Sequence, residues 1–141
     1  MDLSLIIARL KSQLSGLKSI GASADLDAAI AGSVFPPAAF VLPLAENPSP
    51  NKLLSGIHQK VTQNFGVVHV INNRRDAQGA AALDDLVALR ADLQAALVGW
   101  VPDTTNGEPV SYTGGRLLRL DGDGQLWWID EFQLITYCWR A

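Results

Sequence analysis

The sequence predicts an α+β fold, with a small mixed or antiparallel sheet and two main helices packed on one of its faces. Three observations support this fold class. Two stretches carry apolar residues at helical spacing, several shorter stretches alternate between apolar and polar residues, and helices and strands do not alternate regularly along the chain. The predicted order is α-(α)-β-β-α-β-β, within a single domain that covers residues 1–141.

The first predicted element is an amphipathic helix at the N-terminus. Leu3, Ile6 and Leu10 recur at spacings of three and four, which places them on one helical face. A second, shorter helix is predicted over residues 25–31, with Ser23 as its N-terminal cap. Two consecutive prolines shortly afterwards end this helix.

Two strands and a long loop follow. Residues 38–44 form a short strand, and Pro43 belongs at its end or at a sheet edge because proline cannot donate a ladder hydrogen bond. Residues 45–56 are rich in proline, asparagine and serine and form a loop whose length suggests contact with a partner. Residues 57–72 alternate as a strand, with a bend or bulge expected at Gly66.

The second half of the chain contains a helix and a β-hairpin. The helix is predicted over residues 77–97, capped by Asp76. Residues 99–115 read as a loop, and residues 116–120 and 126–139 form a hairpin across the turn sequence DGDG. The apolar stripe of the helix consists of Ala82, Leu86, Leu89, Leu93 and Leu97.

Composition excludes several classes of function. Of the 141 residues, 48% are hydrophobic and 18% are charged, so the chain can bury a core. The net charge of −3 argues against nucleic-acid binding as the main task, and the single cysteine cannot form an internal disulfide. The chain shows neither a signal-peptide pattern nor the run of about 18 apolar residues that crosses a membrane, so a soluble, cytoplasmic protein is expected.

The polar residues predict no catalytic, metal or cofactor site. Asp130 and Glu131 are neighbours on a strand and point to opposite faces, so charge pairing or solvation where the strand leaves the core is favoured over acid–base catalysis. His58 and His69 are separated along one strand with no third ligand evident, and Cys138 lies in an apolar strand as an inert packing residue.

Several glycine-rich or basic stretches have ordinary structural explanations. The DGDG turn departs from a calcium loop at its sixth and twelfth positions, which are Leu126 and Phe132. Gly114 and Gly115 precede a strand, which favours a backbone bend over a phosphate-binding loop. Beside the predicted cap of the long helix, an adjacent pair of arginines either reaches a phosphate or an acidic surface or forms a solvated turn, and the sequence leaves both alternatives open.

The last strand is apolar on both faces, although a strand covered on one side should alternate with polar residues. The predicted helices cover one face, so its other face or its far end is expected to meet another subunit. A twisted sheet that curls over its own side chains is the alternative. Neither parity is cleanly polar: one holds Trp127, Ile129, Glu131, Gln133, Ile135, Tyr137 and Trp139, and the other holds Leu126, Trp128, Asp130, Phe132, Leu134, Thr136 and Cys138.

The ordered combination of segments resembles the tail terminator proteins of tailed bacteriophages and prophages. The resemblance spans nearly all of the chain, and no single segment carries it alone. The segments are IIARLKSQL, AAFVLPL, NKLLSGIHQKVTQNFGVVHVINNRRDAQG, LDDLVALRADLQAALVGW, YTGGRLL and LWWIDEF.

The resemblance implies a structural role without catalysis or cofactor. Such proteins form a ring, generally of six subunits, on the head-proximal end of the tail tube. The ring stops tube polymerisation and offers a surface to the head–tail connector and neck proteins, and DNA passes through its lumen without specific binding. The implied location is the neck region of the virion tail, after assembly in the host cytoplasm and without membrane contact.

The loop and arginine contacts are predicted from loop length and charge, and the tryptophan contacts from the apolar last strand, rather than from the resemblance. Two alternatives to a terminator stay open: a small-molecule-binding or enzymatic α+β domain with a tryptophan-lined pocket, and another neck or tail-completion protein. The predicted interface residues are Asn47, Asn51, Lys52, Arg74, Arg75, Trp127 and Trp139.

Overall fold

A computed structural model describes residues 2–32, 34–72, 80–121 and 124–141. Within these ranges three helices and one five-stranded sheet form, in the strand order β1-β2-β3-β5-β4. β1 and β2 are parallel, and the other neighbouring strands are antiparallel, which confirms the α+β prediction. The elements are α1 (Ser4–Gln13), β1 (Ser19–Gly21), α2 (Ser23–Ile30), β2 (Ala38–Pro48), β3 (Ile57–Asn72), α3 (Ala80–Leu97), β4 (Ser111–Asp121) and β5 (Gln125–Arg140).

Several element boundaries differ from the predictions. Strand β1 was not predicted, since its three residues are too few to show a period. β4 begins at Ser111, inside the predicted loop, because its early residues pair with β5 despite the two glycines. The predicted start of α3 and its cap Asp76 lie outside the described residues.

The start of α2 is stabilised by a different residue from the one predicted. Ala22, not Ser23, occupies the capping position. The carboxylate of Asp25 accepts a 2.8 Å hydrogen bond from the backbone N–H of Ala22. An acidic side chain in the first turn also interacts favourably with the helix dipole.

Strand β2 runs past Pro43 to Pro48, further than predicted. β1 pairs with β2 only as far as Phe40, so Pro43 lies on an open edge, as expected. The register with β3 shifts between Pro43 and Ala45, whereas Gly66 pairs in register on both sides. The prediction of a bulge at Gly66 is therefore wrong, and the register shift lies on the neighbouring strand β2.

Close packing explains the glycine at position 66. A Cβ atom there would lie 2.7 Å from Cδ1 of Ile129 and 3.3 Å from Cδ1 of Leu44. Two apolar side chains thus pass over the bare backbone of β3, and the glycine gives them room.

Helices α1 and α3 cover one face of the sheet, as predicted. Leu10 from α1 and Leu93 and Leu97 from α3 are buried against Phe65 and Phe132 of the central strands. Leu86 and Leu89, one to two turns earlier on α3, pack on Ile71 and Leu126. No helix in the described part of the chain is long and apolar enough to cross a bilayer.

The opposite face is partly covered by the chain itself, which corrects the expectation that another subunit must cover it. Ala29 of α2 packs with Phe40, Val70 and Trp127 in a separate buried cluster, and Leu26 lies against the same cluster. The cover ends halfway along the sheet. Beyond it, the outer end of β2 is exposed from Pro43 onward.

Candidate assembly surfaces

The most polar part of the interior is a cluster around the carboxylate of Asp130, which is fully buried. Nε2 of His69 lies 3.1 Å from its Oδ2 atom, and Nε1 of Trp128 donates to Oδ1 at 3.1 Å. Arg90 donates from Nε and Nη2 at 3.0–3.1 Å, and the hydroxyl of Tyr112 donates at 3.2 Å. We call these five residues the Asp130 cluster.

Electrostatics favour the ionised form of this carboxylate. Burial by itself would raise the pKa of Asp130, but hydrogen bonds from His69, Arg90 and Trp128 outweigh burial and lower the pKa to about 2. In return, the hydrogen bond to Asp130 raises the pKa of Arg90, whose side chain is mainly buried. Both oxygens of the carboxylate are thus hydrogen-bonded, whereas Nδ1 of His69, the other ring nitrogen of its partner, is buried without a hydrogen-bond partner among the described residues.

The Asp130 cluster ties α3, β3, β4 and β5 together through one carboxylate. The prediction of charge pairing for Asp130 is confirmed, but it occurs in the core rather than where the strand leaves it. Glu131 points to the other face, where it meets Arg116 at 3.5 Å. A Cβ at Gly115 would lie 2.6 Å from Oδ1 of Asp130, so the backbone of β4 closes one side of the cluster.

Trp127 is held inside its own chain. Its ring is 4% exposed, packs in the α2-side cluster, and has the guanidinium of Arg119 5.3 Å above it. This tryptophan was predicted to contact a partner, but it has almost no free surface to offer. The twisted sheet and α2 shelter it instead.

The far end of β5 carries an exposed aromatic surface. The ring of Trp139 stacks on His58 with centroids 3.5 Å apart, and Tyr137 lies 5.8 Å from His58 on the same face. The hydroxyl of Tyr137 donates to Glu108 at 2.6 Å, which holds the 103–108 segment beside the strand. These aromatic rings border a shallow cleft of about 360 Å³, and Trp139 itself is 56% exposed.

The loop of residues 49–56 adjoins this aromatic surface and is held in one shape by Asn51. The Asn51 side-chain amide donates to the carbonyls of Leu53 and Gly56, and its oxygen accepts from the N–H groups of Leu53 and His58. Leu54 stands fully exposed at its tip. We call residues 49–56 the leucine loop.

The predicted interface residues are divided between two ends of the sheet. Asn47, Asn51, Lys52 and Trp139 all lie at the end of the leucine loop, where His58 contacts both Asn51 and Trp139. Trp127 lies towards the opposite end, near the β4–β5 turn. The two predicted arginines, Arg74 and Arg75, lie outside the described residues.

Sequence reasoning missed two features of these surfaces. It did not connect Arg90 and Tyr112 to Asp130, since the three residues meet only in the folded chain. It also passed over Leu53 and Leu54, two adjacent leucines in an otherwise polar loop. Such an apolar pair in a loop is a signal that sequence alone provides.

Histidines and acids do not converge elsewhere in the described structure. His58 and His69 lie far apart on β3, as predicted, opposite Trp139 and Trp128 respectively. Over the described ranges, no three His, Cys, Asp or Glu side chains are grouped so that they could hold a metal ion.

Comparison with known proteins finds one matching family and a solved structure with a similar fold. The phage tail terminator protein family matches residues 1–138. A chain from the virion of a native gene transfer agent particle has a similar fold, with a TM-score of 0.52 and 16% sequence identity, over 94% of this chain and 95% of the other. No curated protein matches the sequence.

Proposed function

Because the chain belongs to the phage tail terminator protein family, a family of structural proteins of the phage tail, we propose that it caps the head-proximal end of a tail tube. The observation that carries this proposal is the family match over residues 1–138 of a 141-residue chain. In the proposed role the protein ends tube polymerisation and then offers a surface to the head–tail connector and neck proteins.

A closed ring, six subunits in the proposed form, suits this role because it matches the cross-section of a tube. Head-to-tail contacts between identical chains generate a ring when their rotation closes. Exposed apolar side chains at both ends of the sheet, such as Leu54 and Leu120, support contacts of this kind. Contiguous exposed apolar surface on a folded chain marks an interaction site.

The proposed contact residues lie at the leucine-loop end of the sheet. Asn47, Asn51, Lys52 and Trp139 form the surface that meets a neighbouring subunit or the tube, and Arg74 and Arg75 are proposed to add a second contact. Trp127 is omitted because its own chain buries it. The net charge of −3 suits a lumen through which DNA passes without binding.

A non-enzymatic role follows from the same reasoning. The competing idea of a small-molecule or enzymatic site required a pocket lined by the terminal tryptophans. Instead, Trp127 is buried in the sheet, and the guanidinium of Arg90 lies 4.7 Å above the ring of Trp128. Trp139 does border a cleft, but that cleft is shallow. The Asp130 cluster uses its carboxylate for internal pairing rather than presenting it to a substrate.

Deleting the gene and measuring tail length by electron microscopy tests the proposal. We expect abnormally long tails without heads, restored to normal length when the wild-type gene is supplied in trans. Tails of normal length that lack heads would instead indicate a joining protein of the neck, which is the alternative within the same particle. Normal, infectious particles would refute both roles.

The same complementation assay tests the contact surface. Trp139→Ala and Lys52→Glu should restore tail length poorly, whereas Ile30→Ser should restore it fully. Ile30 is a matched control because it is also an exposed apolar residue, 55% exposed against 56% for Trp139, but lies on α2. If all three variants restore tail length equally, the leucine-loop end of the sheet is not the contact surface.

A further inference from the structure

The leucine loop has the form of a preshaped apolar knob. Four hydrogen bonds of the Asn51 side chain fix its course, and the tip places Leu54 entirely in solvent. Gly56 has a φ of +80°, and a Cβ there would lie 2.6 Å from the carbonyl oxygen of Arg140, so the loop is anchored beside the end of β5. A rigid loop loses little conformational entropy when its leucines are buried by a partner.

The same chain carries a complementary apolar groove at the other end of the sheet. Arg90 points from α3 towards Trp128, and Val87 and Leu83 lie on the same side of that helix, at spacings of three and four. Across the gap, Leu117 and Leu120 of the edge strand pair with Trp128 and Leu126 and share their face of the sheet. We call Leu83, Val87, Leu117 and Leu120 the α3–β4 groove.

All four side chains of the groove are exposed, by 51–66%. Helix α3 lies over the central strands and leaves the edge strand β4 uncovered on this face. The exposed leucines of β4 therefore lie at an open edge of the sheet, on the same face as the exposed residues of α3. Soluble chains rarely leave such a surface without a partner.

The knob and the groove cannot meet within one chain. The leucine loop adjoins Arg140, whereas the groove lies beside Trp128, which is twelve residues earlier on the same strand. At about 3.3 Å per residue the two surfaces are roughly 40 Å apart. Two copies of the chain can bring them together.

Charge favours the same pairing. Lys52 directly precedes the leucines of the loop, and Asp84 directly follows Leu83 at the edge of the groove, and both charged side chains are exposed. A leucine loop seated in the groove brings these opposite charges to the same rim. Such rim pairs mainly orient the partners and speed their encounter.

We propose that the leucine loop of one copy inserts into the α3–β4 groove of the next copy. The contact is heterologous, since knob and groove are different surfaces, and repeating it around a closed circle generates a ring. This inference rests on the proposed ring and names the surfaces that join its subunits.

Two variants and a control test the contact, with assembly followed by sedimentation velocity and native mass spectrometry over a range of concentrations. Leu54→Asp removes the knob and Val87→Asp removes the groove, and each should weaken association roughly 30-fold or more, as expected for an interfacial anchor. Ile30→Asp, on the other side of the sheet, should assemble like wild type. Unchanged urea unfolding midpoints at low protein concentration show that the variants fold.

Mixing the variants gives the sharpest result. The intact loop of the Val87→Asp chain can enter the intact groove of the Leu54→Asp chain, while every other pairing is damaged. We expect each variant alone to be a monomer and the mixture to form a one-to-one dimer that grows no further. Similarly, Lys52→Asp and Asp84→Lys should each weaken assembly, and both changes in one chain should restore it.

The remaining outcomes overturn the inference in distinguishable ways. If Leu54→Asp and Val87→Asp both assemble like wild type, the proposed contact is refuted, while the proposed terminator function is unaffected. Normal rings of Leu54→Asp that no longer bind isolated tail tubes would assign the loop to the tube instead. Equal weakening by Ile30→Asp, or a wild-type chain that stays monomeric at all concentrations, would also refute the contact, while the tail-length assay decides the function separately.

Discussion

Replacing the buried carboxylate with Asp130→Asn should destabilise the fold in a pH-dependent way. A pKa lowered from 3.8 to about 2 corresponds to roughly 2 kcal/mol of extra stability at neutral pH. The amide also leaves the guanidinium of Arg90 without its counterion, which adds to the loss. With a urea slope on the order of 2 kcal/mol per molar, the unfolding midpoint at pH 7 should fall by about 1 M or slightly more.

The sign of the pH dependence follows from the lowered pKa. The stabilisation is fully present above the unfolded-state pKa of about 4 and is lost as the pH falls through about 2. At pH 2.5 only roughly a third of it should be left, so the difference between wild type and Asp130→Asn should narrow accordingly. The assay is urea unfolding at pH 7, 4 and 2.5, at one low protein concentration so that assembly does not add stability.

Glu131→Gln is the matched control for this experiment. It removes the same charge one residue away, but on the other face, where Glu131 meets the exposed Arg116 at 3.5 Å. A pair of this kind contributes about 0–1 kcal/mol, so the midpoint should hardly move. An Asp130→Asn loss that is the same at pH 7 and pH 2.5, or no loss at pH 7, would show that charge pairing does not stabilise this core.

Three further predictions concern packing and hydrogen bonding. Leu93→Ala, at a fully buried position of α3, should cost about 2–5 kcal/mol in urea unfolding, and a loss under 1 kcal/mol would contradict the assigned core. Gly66→Ala should cost about 1–3 kcal/mol of unfolding free energy. Ile129→Val should relieve part of that cost in the double variant, because valine lacks the Cδ1 atom that would lie 2.7 Å from the new Cβ. Strictly additive losses of unfolding free energy in the two single variants and the double variant would contradict this explanation. The hydrogen bond to Glu108 raises the pKa of Tyr137, so Glu108→Gln should lower that pKa in an ultraviolet titration of the chain's two tyrosines, and an unchanged titration curve would exclude the bond.

The parts of the fold that sequence predicted well are those with a long period. β3 matched its predicted range because sixteen residues of alternation are hard to mistake. The missed elements are short or interrupted: β1 has three residues, and the first residues of β4 contain two glycines and a register shift at Tyr112. Their strand conformation comes from pairing with neighbours, which a local pattern does not contain.

The surfaces were predictable only in part. Lys52 and Asn51 followed from the composition of a polar loop, and the structure shows that Asn51 shapes the loop around the leucines. The α3–β4 groove could not be predicted, because it depends on which strands α3 packs against, and that is decided by tertiary packing. The prediction for Trp127 was wrong in the other direction. Because the strand is apolar on both faces, this side chain was expected to contact a partner, but the short helix α2 of the same chain covers it.

The pairing of β3 with β5 has a consequence for how this protein can change in length. Sixteen consecutive pairs, from Ile57 with Arg140 to Asn72 with Gln125, run without a shift. Deleting one residue from either strand would turn every later side chain to the opposite face, and a deletion ahead of Asp130 would aim its carboxylate away from Arg90. Within β3 and β5 a change of two residues keeps the later side chains on their own faces, whereas a single extra residue would have to be accommodated by a bulge, as at the register shifts of β2 and β4.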